Sequence, residues 1–374
     1  MNTFDRLPYE ILSLIITYAA DWVALESLMK VSPRVSRLFD GGPDVEADRE
    51  AIRLVECILE DNPMMNHRLH HKFRICMHLR QPSYDKNFKK FKKWDYKRSS
   101  LTSTSSISRG SLRDTVIVAA NIQRLACACL TTYLNRTREL QPRFLEKFGA
   151  VIRDAGPASW VEEYRVYESL WHFQLACDLV HATSKVEWSA EDINRLREWP
   201  SESGSSILYE DGYRLDSVVE CLEDMCHVPL LDIPTSLNLL RWKEYGSYFL
   251  DRLPQASQLR CEYAVWAPPA PPVIAEDHRG PINPWGRDPR SYRTTNVPTT
   301  WAVRKYGLSL WDRWRLYCLG LQDAEDPLRP ESEIISAPDG SSVTRGYLVG
   351  YETHCLLVGE VGASLSDMHN IYCR

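Results

Sequence analysis

A chain of 374 residues with 45 basic and 50 acidic side chains carries a formal charge of −5, so no global field draws it to nucleic acid or to an anionic membrane, and such binding is expected only from a local patch. The length allows a sizeable core and suggests one small unit followed by a larger one. Eleven cysteines, an odd number, fall on apolar helical faces, as at Cys127, Cys177 and Cys318; that suits reduced, buried thiols rather than a disulfide framework and points to the cytosol or the nucleus.

Residues 1–5 lack the basic and apolar regions of a secretory signal, and no 18-residue apolar run is expected to span a bilayer, so no membrane partner is expected. Residues 8–39, within "RLPYEILSLIITYAADWVALESLMKVSPRVSRLF", read as three short helices. Asp21 is the predicted N-cap of the second. Ser32 is that of the third, with Pro33 at its first helical position. On a helical wheel Ile11, Leu14, Ile15 and Tyr18 cover one sector of the first helix, and Leu12, Ile16 and Ala19 cover the adjacent one. This apolar surface spans roughly half the circumference, against the ~100° stripe that a helix lying on a single core needs. Either the helix is sandwiched within its own chain, or one sector faces a partner; Ile11 and Ile15 are assigned outward with Leu7 and Pro8, and Leu12 and Ile16 inward.

Leu7-Pro8-x-Glu10-Ile11-x-x-x-Ile15, then Leu25, Leu28, Val31-Ser32, Arg34 and Leu38-Phe39, resemble the F-box, over residues 4–40. The resemblance implies that the three helices dock onto the small adaptor subunit of SCF-type ubiquitin ligases, and through it onto the cullin, while the remainder holds a protein substrate. Leu7 and Pro8 would anchor the N-terminal end beside Glu10, with Ile11 and Ile15 following on the first helix. Leu28, Val31 and Leu38 would knit the helices together and complete the contact face. Trp22, Val23 and Pro33 depart from the residues that the family more often places there. An ordinary N-terminal helical hairpin could produce the same pattern.

After Gly41-Gly42-Pro43, Asp44 is the predicted cap of an amphipathic helix with Ile52, Val55, Ile58 and Leu59 on one side and Pro63 as its stop. In "NHRLHHKFRICMH", His67 and His71 have the spacing of a zinc pair, but no second ligand pair follows, and a polar helix surface explains the stretch; no metal or other cofactor is expected. Residues 81–112 turn Lys-rich and then Ser/Thr-rich, a flexible insertion by composition. Lys86 to Arg98, with Phe88, Phe91 and Trp94 interleaved, reads as a solvated loop, a nuclear import signal or a nucleic-acid contact. The Ser/Thr string 99–111 could accept phosphate.

Val118, Ile122, Leu125, Cys129 and Tyr133, and then Trp160, Tyr164, Tyr167, Trp171, Leu175 and Leu179, recur at helical spacing and predict the two central helices of the main core. Helices are also predicted over 189–200, 212–226 and 308–321. Half of the 22 prolines fall in 227–300, which predicts loop draped over the helices and pinned by Trp266 and Trp285. "APPAPP" (267–272) reads as a spacer or a polyproline-II ligand. The last forty residues fit a helix or a strand pair equally.

The predicted fold is all-α: a three-helix F-box (1–42), then a larger irregular helical domain with long Pro-rich loops. That domain divides into its helical start (43–80), the insertion (81–112), the helical core (113–226), the Pro-rich segment (227–300) and a C-terminal helical segment packing on the core (301–374). Phosphate-cradling, G-x-S-x-G, H-E-x-x-H and C-x-x-C signatures are missing from the sequence. Together with what the F-box resemblance implies, the first reading is a non-catalytic ligase subunit. Two others stay open: an unrecognised enzyme, with a site near Cys221, Cys226 and His227 or the His-rich stretch, and an adaptor-binding protein with no role in degradation. "PASWVEEYRVYESLWHFQLACDLV" also resembles the largely uncharacterised F-box proteins of filamentous fungi, which implies a helical substrate side and leaves the substrate unnamed.

Overall fold

Asp21 and Ser32 cap their helices as their positions predict. The Asp21 carboxylate accepts from Ala24 N at 2.7 Å, and the Ser32 hydroxyl from Val35 N at 3.5 Å, each satisfying an amide that has no partner within its own helix. The computed structural model describes residues 7–42, 45–81, 101, 107–148, 154–186, 212–226, 253–269, 305–307, 309–312, 315 and 318. These residues form an all-α fold: α1 Tyr9–Ala19, α2 Trp22–Val31, α3 Pro33–Phe39, α4 Arg49–Asp61, a π turn Met65–Leu69, α5 His70–Leu79, α6 Arg109–Phe148, α7 Trp160–Val186, α8 Gly212–Cys226 and a 3-10 turn Ala256–Gln258.

Helix α4 opens later than expected. Its cap is Asp48, accepting from Glu50 N at 2.8 Å, and not Asp44. Residues 45–47 are instead held extended against the start of α6, where Ala47 N donates to Ile107 O and Arg109 N to Val45 O, both at 2.7 Å. The predicted inner face of α4, Ile52, Val55, Ile58 and Leu59, is buried, as are Ile122, Leu125, Cys129 and Tyr133 on α6 and Trp160, Tyr167, Trp171, Leu175 and Leu179 on α7. Residues Arg109–Glu139 of α6 are, contrary to the sequence expectation, long and apolar enough to cross a membrane; 72% of that apolar window is buried against the rest of the protein.

One apolar cluster runs from Leu12 and Ile16 through α4–α8 to Trp311, so the three N-terminal helices share their core with the body. Trp22 of α2 stacks on Phe73 of α5 with ring centroids 5.0 Å apart, and Phe73 meets Trp171 of α7 at 5.8 Å. Arg80 grips Asp178 with two bonds of 2.9 and 2.7 Å, tying α5 to α7. Segment 253–269 is the described part of the Pro-rich region. It crosses α6 as a strap with Leu259, Cys261, Tyr263 and Trp266 packed on the core, so Trp266 sits as expected. Trp285, the helices expected at 189–200 and over most of 308–321, the Lys86–Arg98 run, His227 and the last forty residues lie outside the described residues.

Polar side chains fix the N-terminal helices in place. Ala20 ends α1 in the left-handed region at φ 42°, a conformation that disfavours a Cβ. Its N–H closes on Ile16 O, and its carbonyl accepts from Asn62 Nδ2 at 2.8 Å. Gln123 of α6, with no exposed surface, donates to Asp21 Oδ2 at 2.6 Å and accepts from Val23 N at 3.3 Å. Glu26 pairs with Lys30 at 2.7 Å and with Arg124. Burial pulls its carboxyl upward, but those two cations outweigh burial and hold it below the usual range.

Replacing Gln123 with Met keeps the volume and strands buried polar partners. The expected loss is about 1–3 kcal/mol of unfolding free energy in urea, with N-terminal and body probes still moving in a single transition.

Candidate functional site

Helix α1 is set by α4, against which it packs. Its inward residues Leu12 and Ile16 are buried, while Ile11, Leu14, Ile15 and Tyr18 are 42%, 48%, 39% and 84% exposed. Positions spaced by three, four and seven lie on one stripe. The two sectors read from the sequence are thus the two faces of the helix, one against the core and one open. Burying the open residues would gain on the order of 1 kcal/mol each, and a contiguous apolar stripe of this kind marks a contact surface more often than an accident of composition.

Around that stripe the anticipated residues divide. Pro8, Glu10 and Val31 are exposed with Ile11 and Ile15, whereas Leu7 and Leu38 are half-buried against the core. Leu28 belongs to the interior: it is 6% exposed because the face of α2 that carries it packs inside the bundle, so it supports the surface from below and does not form it. Val31 is 44% exposed at the end of α2. Arg34 Nη1 reaches Leu7 O at 3.4 Å, which brings the α2–α3 corner beside the N-terminal end of α1. Leu14 and Tyr18 extend the stripe. The helical wheel placed them in the outward sector, so the signal was available although only Ile11 and Ile15 were assigned from it.

The alternative sites named from the sequence are built differently. His67 lies edge-on to Trp160 and Tyr164, with ring centroids 4.9 and 5.0 Å away, and the π turn at Met65–Leu69 interrupts the regular helical spacing between His67 and His71. His70 Nδ1 contacts Met65 O at 3.0 Å. Among the described residues no three His, Cys, Asp or Glu side chains gather as a metal site. Cys221 and Cys226 are buried, and burial raises the Cys226 thiol. It pushes Cys127 up to about 12. Protonated thiols are poor nucleophiles.

Two adjacent carboxyls at the start of α7 escaped the sequence reading. Glu162 forms a capping box with Ser159: Ser159 N donates to Glu162 Oε2 at 2.9 Å and Glu162 N to the Ser159 hydroxyl at 3.4 Å. Arg315 then grips both Glu162 oxygens, at 2.7 and 3.0 Å, while stacking over Trp311. Glu163 Oε1 accepts from the Trp266 indole at 2.7 Å, and its Oε2, though buried, has no hydrogen-bond partner. Burial pushes both carboxyls up to about 7; Asp312 adds to the shift at Glu162 and Arg315 opposes it, while at Glu163 the indole opposes it and Glu162 adds to it. Nothing local in the sequence distinguishes Glu163 from a solvated acid in a first helical turn.

The raised Glu163 pKa has a definite sign in stability. A carboxyl that holds its proton to about 7 when folded and to about 4.3 when unfolded favours the native state at low pH. That preference fades as pH rises through this window. Glu163→Gln should therefore leave urea stability near pH 3.5 almost unchanged and raise it at pH 8 by about 3 kcal/mol, checked by denaturation curves at the two pH values.

No protein-family model, curated protein or solved structure matches this chain, so a functional reading rests on the residues and geometry above.

Proposed function

We propose that the chain is a non-catalytic substrate-recognition subunit of an SCF-type ubiquitin ligase, working in the cytosol or nucleus. The open face of α1 docks onto the adaptor, and through it the cullin, and the helical body presents a protein substrate to the ubiquitin-loaded subunits. One observation supports this reading above the others: Ile11 and Ile15, at positions where the resembled family contacts its adaptor, stand on an open apolar stripe whose opposite side is already buried. An N-terminal hairpin serving only its own core has no use for that stripe. Pro8 and Glu10 border it at one end, and Val31 stands at the α2–α3 corner beside that end.

The mechanism is proximity. A ligase of this kind gains rate by holding the acceptor lysine near a bound ubiquitin thioester, so what this chain supplies is a fixed distance and orientation. The shared core supplies the stiffness, because α2 and α3 pack directly on α6.

The test is capture of the adaptor by purified full-length protein. Ile11→Ala with Ile15→Ala should weaken capture at least tenfold, as interface anchors do, while the melting curve changes by less than ~1 kcal/mol equivalent. Leu12→Ala should do the reverse, lowering stability by about 2–5 kcal/mol with adaptor affinity retained under folding conditions. Undiminished capture by the Ile11/Ile15 double variant would remove the residue assignment.

A further inference from the structure

The strap 253–269 is held by α6 and α7 in the way a protein holds a foreign peptide. Apart from the turn Ala256–Gln258 it has no regular structure, and side chains of the body bond its backbone. Asn121 clasps it with both ends of its amide, donating to Pro254 O at 2.9 Å and accepting from Ala256 N at 2.8 Å. Further along, Gln123 Nε2 donates to Trp266 O at 3.2 Å and the Cys127 thiol approaches the same oxygen at 3.9 Å. Glu163 takes the indole N–H of Trp266. Pro268 is buried two residues beyond, while Ala264, Val265 and Ala267 face outward. Backbone contacts for affinity, with alternate side chains entering the surface, are the physics of extended-peptide recognition.

The floor beneath Trp266 has more polar capacity than the strap uses. Glu163 Oε2 and the Tyr167 hydroxyl, one turn apart on α7, are buried without hydrogen-bond partners, and both residues are 2% exposed. Buried polar atoms in native proteins nearly always have partners, so an oxygen left over on the carboxyl that holds the indole, with a second unpaired hydroxyl one turn along the same helix, points to a ligand that supplies more donors and acceptors than residues 264–268 do.

We propose that the cleft between α6 and α7 is a peptide-binding site that the Trp266 strap occupies as an internal stand-in. Its external ligand is an extended segment of a substrate protein, bearing a tryptophan with a proline two residues later and a further hydrogen-bonding group beside the indole. Glu163 reads the indole N–H and Gln123 the tryptophan carbonyl, and the strap must leave before the segment binds. Only the identification of that segment with a substrate rests on the ligase reading; the cleft itself does not.

The experiment uses the full chain and a synthetic peptide of residues 261–269 carrying Cys261→Ser. The peptide should bind Trp266→Ala protein at least tenfold more tightly than wild type by fluorescence anisotropy, and a peptide with Trp266→Ala should bind neither. Equal or absent binding to a folded Trp266→Ala protein overturns the proposal. Should that variant not fold, thiol labelling of wild type decides. Cys127, beneath the strap, is expected to label at least tenfold faster than the buried Cys129 of the same helix, through local opening; equal rates, set by global unfolding, overturn the proposal. Peptide binding with no adaptor capture would sink the ligase reading and leave the cleft, and adaptor capture with no peptide binding would do the opposite.

Discussion

The amide of Gln123 is the point on which three separate pieces of chain close. It is fully buried in the middle of α6, and its two donors and one acceptor are used by Asp21, Trp266 O and Val23 N. A buried amide in an interior of low dielectric is costly until every partner is in place. The start of α2 and the strap must therefore arrive on α6 in one arrangement, and an apolar residue there would allow several. Stability comes mainly from the shared apolar cluster, whereas the choice of register comes from this amide, from Asn62 under Ala20 and from Arg124 against Glu26.

That constraint explains how eleven residues hold an open apolar face in a fixed position, as the proposed docking requires. A helix the length of α1 is marginal in water by itself; here Leu12 and Ile16 dock it on α4, and Asn62 fixes the turn that follows. Its outward residues are then displayed on a scaffold already ordered before any partner arrives. Ordering entropy is one of the main losses on association, and most of it is absorbed during folding. The same argument accounts for Leu28. Removed from the contact face, it raises the rigidity of that face from behind, which a solvent-exposed leucine could not do.

What the sequence discloses is what depends on neighbours within a turn or two. The caps at Asp21 and Ser32, the inward and outward sectors of α1 and the buried stripes of α4, α6 and α7 all follow from local chemistry and helical period. Asp44 and Asp48 are equally good caps by that standard. The choice between them is made by backbone pairing of residues 45–47 with Ile107 and Arg109, some sixty positions away, and no local pattern carries it. Gln123 and Glu163 read as ordinary helical polar residues because their partners lie 143 and 103 positions off for the strap contacts alone. The burial of Leu28 likewise is decided by how α2 packs in the bundle, not by its place in the motif.

Gln123 also bounds what can pass between the two ends of the molecule. When the strap leaves, the amide loses one of its bonds, to Trp266 O, and keeps Asp21 and Val23, so the start of α2 stays anchored to α6. Arg124 still holds Glu26 one turn further along α2, and Trp22 still stacks on Phe73. An exchange of ligands at the cleft therefore changes contacts on the strap side of α6 while the N-terminal helices remain where they are. Allosteric coupling needs an element with two arrangements whose balance both sites shift, and the contacts on the α2 side of Gln123 offer a single one. The two ends are joined by stiffness and not by a switch, which is the mechanical property that the proposed action by proximity would require.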